Sequence, residues 1–253
     1  MRKRECPGAS ASNIMKIAIG IPARMGSTRF PGKPLALLAG KPMIVHVIEK
    51  AVAAELGPVF VATDDDRIAA IAKKCGVIAC MTNPDHPNGS NRLAQAVRDI
   101  ACDVVVNVQG DEPLIDPVAI RAVVEPFKDD AYLPMATLAH PVREDADLHD
   151  ANVVKVVCNA KGRAQYFSRA AIPFPRSGSS NALQHVGLYA YRKEFLLIYP
   201  SLAACEAEET EQLEQLRVLH HGYDIAVTVG DFHCIGVDTP ADLARAEKIL
   251  TGK

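Results

Sequence analysis

The chain has 253 residues, 49% of them hydrophobic and 23% charged, with a formal net charge of -2. That length supports one large α/β domain or a domain with a sub-lobe, and the near-neutral balance gives no general reason for nucleic-acid or membrane affinity. No apolar run approaches the length of a membrane span, and seven cysteines, an odd number without paired spacing, read as the reduced thiols of a cytoplasmic protein.

Residues 1–13 (MRKRECPGASASN) are basic, then small and polar, so they form no secretory signal. Residues 1–14 are read as a disordered extension and 15–253 as a single domain. The apolar run 17–21 reads as a fully buried strand that empties into a loop carrying Arg24, Gly26, Ser27, Thr28, Arg29, Gly32 and Lys33. Small residues and cations after a buried strand present backbone N–H groups and positive charge to phosphate. The loop is no conventional P-loop: five residues separate Gly26 from Gly32, and Pro34 stands where Ser or Thr would hold magnesium. Lys41-Pro42 opens a helix with Ile44, Val47, Ile48, Ala51 and Val52 on one face, and 59–63 reads as the second buried strand. Asp64, Asp65 and Asp66 follow it; such a run can hold a metal or cap the next helix.

A strand at 77–81 leads into a turn-rich loop, 82–93, and a helix whose apolar face holds Leu93, Val97 and Ile100. Strand 103–108 ends in Gln109-Gly110-Asp111-Glu112-Pro113, where ligands of open α/β sheets gather. Gly110 permits close backbone approach. Asp111 offers a hard oxygen to a magnesium ion beside phosphates, and Asp238 in GVDTP, also ending an apolar segment, is its candidate partner if both strands share a sheet. Taken singly, an aspartate after a strand is more often a turn residue or helix cap. Asp116-Pro117 starts a helix, and 135–139 continues the sheet. Residues 152–172 read as a β-hairpin turning at 159–162 and standing as an outlying lobe, with Lys155 and Arg169 most simply read as solvated surface charges. Along strand 185–192, His185, Gly187 and Tyr189 share one face, which makes His185 a candidate donor to a carboxylate or sugar hydroxyl. A helix at 206–219, a strand at 225–229 and a helix at 240–250 complete the chain.

The stretch IPARMGSTRFPGKPL resembles the signature of the nucleotidyltransferases that load acidic sugars onto CMP, and most of all the 3-deoxy-manno-octulosonate (Kdo) cytidylyltransferases. VATDDDRI, VNVQGDEP, HVGLYAYR, LEQLR and GVDTPADL extend the similarity in order over nearly all of the chain from Met15. The resemblance implies a three-layer α/β sandwich with a mixed, mostly parallel central sheet of the nucleotide-diphospho-sugar transferase type. It also implies a small β-rich dimerisation and sugar-binding lobe at about 140–200, hence a homodimer. The implied reaction is CTP + Kdo → CMP-Kdo + diphosphate, for lipopolysaccharide biosynthesis, with Mg²⁺ on Asp111 and Asp238. Arg24 and Lys33 join those aspartates as catalytic residues. Arg24, Ser27, Thr28, Arg29, Lys33, Thr63, Ser90 and Gly110 are the implied nucleotide contacts, and Arg92, Gln109, His185, Tyr189, Glu214 and Gln215 the implied sugar contacts. One departure stands out: where relatives commonly carry a carboxylate, this chain has Asn91, expected to act as a local cap at the start of its helix. Activation of sialic acid or 8-amino-Kdo, or non-catalytic binding of a nucleotide sugar, are the alternatives the residues leave open.

Deleting residues 1–13 is expected to leave melting temperature and turnover nearly unchanged, because the segment brings no apolar side chains to dock; thermal denaturation and a rate assay on the truncated chain check this.

Overall fold

The fold is described from a computed structural model, which covers residues 15–26, 30–176, 178, 181–232 and 234–252. The expected N-terminal extension and the loop residues Ser27, Thr28 and Arg29 lie outside the described residues. Nine strands form one sheet among those described: β1 (Ile17–Ala23), β2 (Val59–Thr63), β3 (Ile78–Met81), β4 (Val104–Asn107), β5 (Met135–Pro141), β6 (Lys155–Cys158), β7 (Ala164–Ser168), β8 (Leu183–Arg192) and β9 (Ile225–Val229). Their order is β9-β5-β8-β4-β1-β2-β3, with the β6–β7 hairpin joined to β8. β1 to β4 run parallel to one another, as do β5 and β9, whereas β8 is antiparallel to both β4 and β5.

The strands read as continuous apolar runs because both faces of the sheet are covered. Ile19, Val61 and Val106 face helices α1 (Met43–Ala53), α2 (Asp66–Lys74) and α4 (Pro117–Ala122); Ala18, Phe60 and Val105 face α3 (Gly89–Ala96), α5 (Lys193–Ile198) and α7 (Gln215–His220). The result is the expected three-layer sandwich. No described helix is long and apolar enough to cross a membrane. The aspartates after β2 divide their work: Asp65 caps α2 by accepting from the Arg67 N–H at 2.9 Å, and Asp64 accepts from Arg92 at 3.0 Å.

Four expectations change. The 206–219 helix is broken into α6 (Glu206–Glu211) and α7, because Gln212 takes the left-handed conformation (φ 53°, ψ 50°) and ends the first segment. The hairpin does not stand apart: Leu183 and Gln184 pair with Val156 and Lys155, so it extends the main sheet. The cap of α3 is Asn88, whose side chain accepts from the Asn91 N–H at 2.9 Å, and the Asn91 Oδ1 is buried without a partner among the described residues. Lys155 is no surface charge: it is fully buried, and its Nζ donates to the carbonyls of Asp150 (2.9 Å), Val153 (2.6 Å) and Arg169 (2.7 Å). Arg169 in turn donates to the Glu211 carbonyl at 2.7 Å, which ties the hairpin to the break between α6 and α7.

Because Lys155 is the donor for these carbonyls, Lys155→Met leaves them buried and unpaired. The expected loss is about 3 kcal/mol of unfolding free energy. The exposed Lys161→Met should stay within about 0.5 kcal/mol of the wild type in the same urea titration.

Candidate active site

The chain runs β1, β2, β3 in one direction and then returns to place β4 on the other side of β1. At such a switch point the loops leaving two neighbouring strands diverge and open a crevice at their carboxyl ends. A cavity of about 290 Å³ lies there, lined by Arg24 and Lys33 from the first loop, Asn88 and Gly89 ahead of α3, and Gln109 to Asp111 after β4. The loops approach so closely that glycine is required. A Cβ on Gly110 would lie 2.7 Å from the Pro22 carbonyl oxygen, and one on Gly89 would lie 3.0 Å from the Pro22 ring.

At the mouth of this cavity Asp111 and Asp238 converge on one cation. Lys33 Nζ donates to Asp111 Oδ2 at 2.6 Å and to Asp238 Oδ1 at 3.2 Å. The two acidic segments are joined by their backbone, since the Val237 N–H donates to the Asp111 carbonyl at 2.8 Å. Directly after Asp238, helix α8 (Pro240–Thr251) begins in a capping box: the Asp242 N–H donates to Thr239 Oγ1, and Asp242 Oδ2 accepts from the Thr239 N–H. Two hard carboxylates around a shared positive charge suit a divalent cation. Among the described residues no third His, Cys, Asp or Glu joins them, so oxygens from a bound phosphate would have to complete the coordination. Burial, together with the charge of Asp111, pushes the Glu112 carboxyl up to about 8, so it adds little negative charge beside the pair at neutral pH.

A second cavity, of about 250 Å³, shares Gly89 and Gln109 with the first. Its wall carries Ser90, Tyr189, Tyr191, Tyr199, Glu214 and Gln215. The break between α6 and α7 is what turns Gln212 to Gln215 inward. Burial raises all three phenols, so each remains a donor, and burial also raises Glu214, to which Tyr199 donates at 3.5 Å. Gln215 Nε2 is buried and unpaired among the described residues, a donor left free for a ligand. His185 packs against Tyr189 with ring centroids 5.4 Å apart, and burial lowers its imidazole to about 3.

Most of the sequence-derived candidates among the described residues divide between the two cavities, whereas Thr63 and His185 line neither. Arg24, Lys33, Arg92, Gly110, Asp111 and Asp238 line the first, Ser90, Tyr189, Glu214 and Gln215 the second, and Gln109 both. Arg92 reaches the first cavity although its side chain is only 2% exposed, engaged by Asp64 and by Thr82 at 2.6 Å. Thr63 is fully buried, accepts from the Asp65 N–H at 3.2 Å, and lines neither cavity. Asn88, Tyr191, Tyr199 and Gln212 escaped the sequence reading. Tyr191 could have been found, since it continues the period-two face of Tyr189; Tyr199, at the end of α5, and Gln212, at the break between α6 and α7, gave no signal.

A mixed, mostly parallel sheet with a crevice at its switch point, cationic and acidic at once, is the arrangement of a nucleotidyltransferase. The cytidylyltransferase family profile matches residues 17–225. The chain is 48% identical to the 3-deoxy-manno-octulosonate cytidylyltransferase of Syntrophotalea carbinolica, over 94% of this chain and 100% of that protein. It is 50% identical to the enzyme of that name from Anaeromyxobacter dehalogenans strain 2CP-C, covering 92% and 97%. The solved structure of CMP:2-keto-3-deoxy-manno-octonic acid synthetase complexed with CTP superposes with a TM-score of 0.89 at 41% identity, covering 94% of this chain and 99% of that one. A glucose-1-phosphate thymidylyltransferase from Bacillus anthracis, at 16% identity and a TM-score of 0.65, shares the fold. The chain belongs to the 3-deoxy-manno-octulosonate cytidylyltransferase family.

His185 yields a pH prediction. Its folded value of about 3 lies below the ordinary 6.5, so the folded state resists protonation. Its contribution is intact above pH 6.5 and is lost as the pH falls from there towards 3. Between pH 7.5 and 5.5 this group should remove up to about 1.4 kcal/mol of stability. Urea titrations at the two pH values should show a shallower acid loss in His185→Asn than in the wild type.

Proposed function

We propose that the protein transfers a cytidylyl group from CTP to Kdo, giving CMP-Kdo and diphosphate, with the triphosphate in the first cavity and the acid sugar in the second. The convergence of Lys33, Asp111 and Asp238 beside a second polar cavity carries this reading. The anomeric hydroxyl oxygen of Kdo attacks the α-phosphorus, the bond from that phosphorus to the bridging oxygen breaks, and diphosphate leaves. Such a reaction asks the protein for in-line placement and charge neutralisation rather than for a covalent nucleophile.

Arg24 and Lys33 hold the phosphates, joined by Ser27, Thr28 and Arg29 of the same loop. Gly110 and Gly89 let the backbone come close, and Gln109, standing between the cavities, orients the two substrates. Asp111 and Asp238 would hold a magnesium ion, which would supply Lewis-acid neutralisation of phosphate charge and favour ionisation of the attacking hydroxyl. With a divalent ion held by the two carboxylates, the Lys33 ammonium would be free to pair with the phosphates. Tyr189, Glu214 and Gln215 bind the sugar, and Arg92 braces the loop over the nucleotide through Asp64. The hairpin, with its exposed Tyr166, and the neighbouring exposed Phe174 supply apolar surface for a homodimer contact. The free state of all six described cysteines agrees with a cytoplasmic setting. CMP-Kdo then serves as the activated sugar for lipopolysaccharide assembly.

A diphosphate-release assay across nucleoside triphosphates and acid sugars should give turnover with CTP and Kdo, and preference for sialic acid would overturn the assignment. Asp111→Asn and Asp238→Asn should each reduce turnover on the order of a thousandfold with the fold intact by circular dichroism. Near-normal rates at moderate magnesium would remove that aspartate from the metal site.

A further inference from the structure

A charge pair spans the break beside the second cavity. Across the left-handed Gln212, Arg217 of α7 donates from Nε to Glu208 Oε2 at 2.7 Å and from Nη2 to Glu208 Oε1 at 2.6 Å. Its Nη1 donates to the Leu202 carbonyl at 3.3 Å. The contact is a planar fork, which a lysine ammonium cannot reproduce. Both side chains are largely buried. Taking two charges out of water is costly, and a packed apolar pair of similar volume is often as stable, so stability is a weak reason for an ion pair here. The neighbour of the guanidinium supplies a better one. Its central carbon lies 5.6 Å from the centroid of the Tyr199 ring, and Phe195 meets that ring edge-on at 6.5 Å. Tyr199 is buried and lines the second cavity, where its hydroxyl donates to Glu214 Oε2 at 3.5 Å. That distance is the outer limit of a hydrogen bond, so a small turn of the ring would break it.

We propose that Arg217 is a positioning residue for the sugar subsite: locked by Glu208 across the α6–α7 break, it fixes the plane of Tyr199 and keeps the tyrosine hydroxyl on Glu214 at the cavity wall. This rests on the reading of the second cavity as the Kdo subsite. Arg217 and Glu208 are not among the residues that line that cavity, and both act through Tyr199. Without the lock the ring can turn, the Glu214 carboxylate loses its donor, and the wall no longer presents one arrangement of polar groups to the sugar. The first cavity, built from other segments, keeps its shape.

The test is steady-state kinetics on a variant that carries Glu208→Leu together with Arg217→Met, which removes both charges at once and leaves neither buried alone. It should melt near the wild type, raise KM for Kdo about tenfold and keep KM for CTP within about twofold. Arg217→Lys, which keeps the charge but not the fork or the plane, should raise KM for Kdo in the same sense. Tyr199→Phe should raise it too, and adding Tyr199→Phe to the paired variant should change KM for Kdo little further, because both act on one contact. A folded paired variant with the wild-type KM for Kdo overturns the proposal, as does full additivity with Tyr199→Phe. If the paired variant does not fold, an unchanged KM for Kdo in Arg217→Lys overturns it. If Tyr199→Phe alone leaves KM for Kdo unchanged, the subsite reading fails and the proposal falls with it.

Discussion

Two carboxylates from opposite halves of the chain are held against one ammonium group, and the rest of the structure is arranged around that contact. Asp111 and Asp238 would repel each other if they stood alone; Lys33, only 11% exposed on its side chain, makes their approach favourable. Each has its own anchor. Asp111 follows a central strand buried on both faces, Asp238 precedes a helix stapled by a capping box, and the Val237 to Asp111 backbone bond joins the two segments. In the proposed reaction a divalent ion would take the cation position that Lys33 fills here.

The second cavity depends on departures from regular structure. A bulge in β8, a left-handed Gln212 and a hairpin tied by buried Lys155 together bring Tyr189, Glu214 and Gln215 to one wall. Regular elements could not do this: an unbroken 206–219 helix would continue the axis of α6, whereas the left-handed Gln212 redirects the chain before Glu214 and Gln215. The clamp on this break is dense. Ser168 donates to the Glu211 carboxylate at 2.6 Å, the Arg169 N–H donates to it at 2.9 Å, and the Arg169 guanidinium donates to the Glu211 carbonyl. Backbone held in a sparsely populated conformation persists where the surroundings over-determine it, and such places concentrate at binding sites.

Asn91 shows how a local rule can name the right motif and the wrong residue. Its position near a helix start suggests a cap, yet Asn88 takes that role, and the Asn91 Oδ1 is left buried without a partner among the described residues.

The sequence by itself determined the layered α/β architecture, since runs such as 17–21, 59–63 and 103–108 are apolar on both faces and alternate with amphipathic helices. It also marked the basic loop after 17–21 and both aspartates as candidates, because glycine, cations and carboxylates gathered at strand ends suit phosphate and a metal ion. Only the tertiary structure decided which side chains meet. Lys155 reads as a surface charge until three carbonyls are seen to surround it, and Tyr199 and Gln212 carry no local signal at all. Their roles come from contacts between segments far apart in the chain, and those distances depend on how layers pack and where strands bulge, which no periodicity encodes.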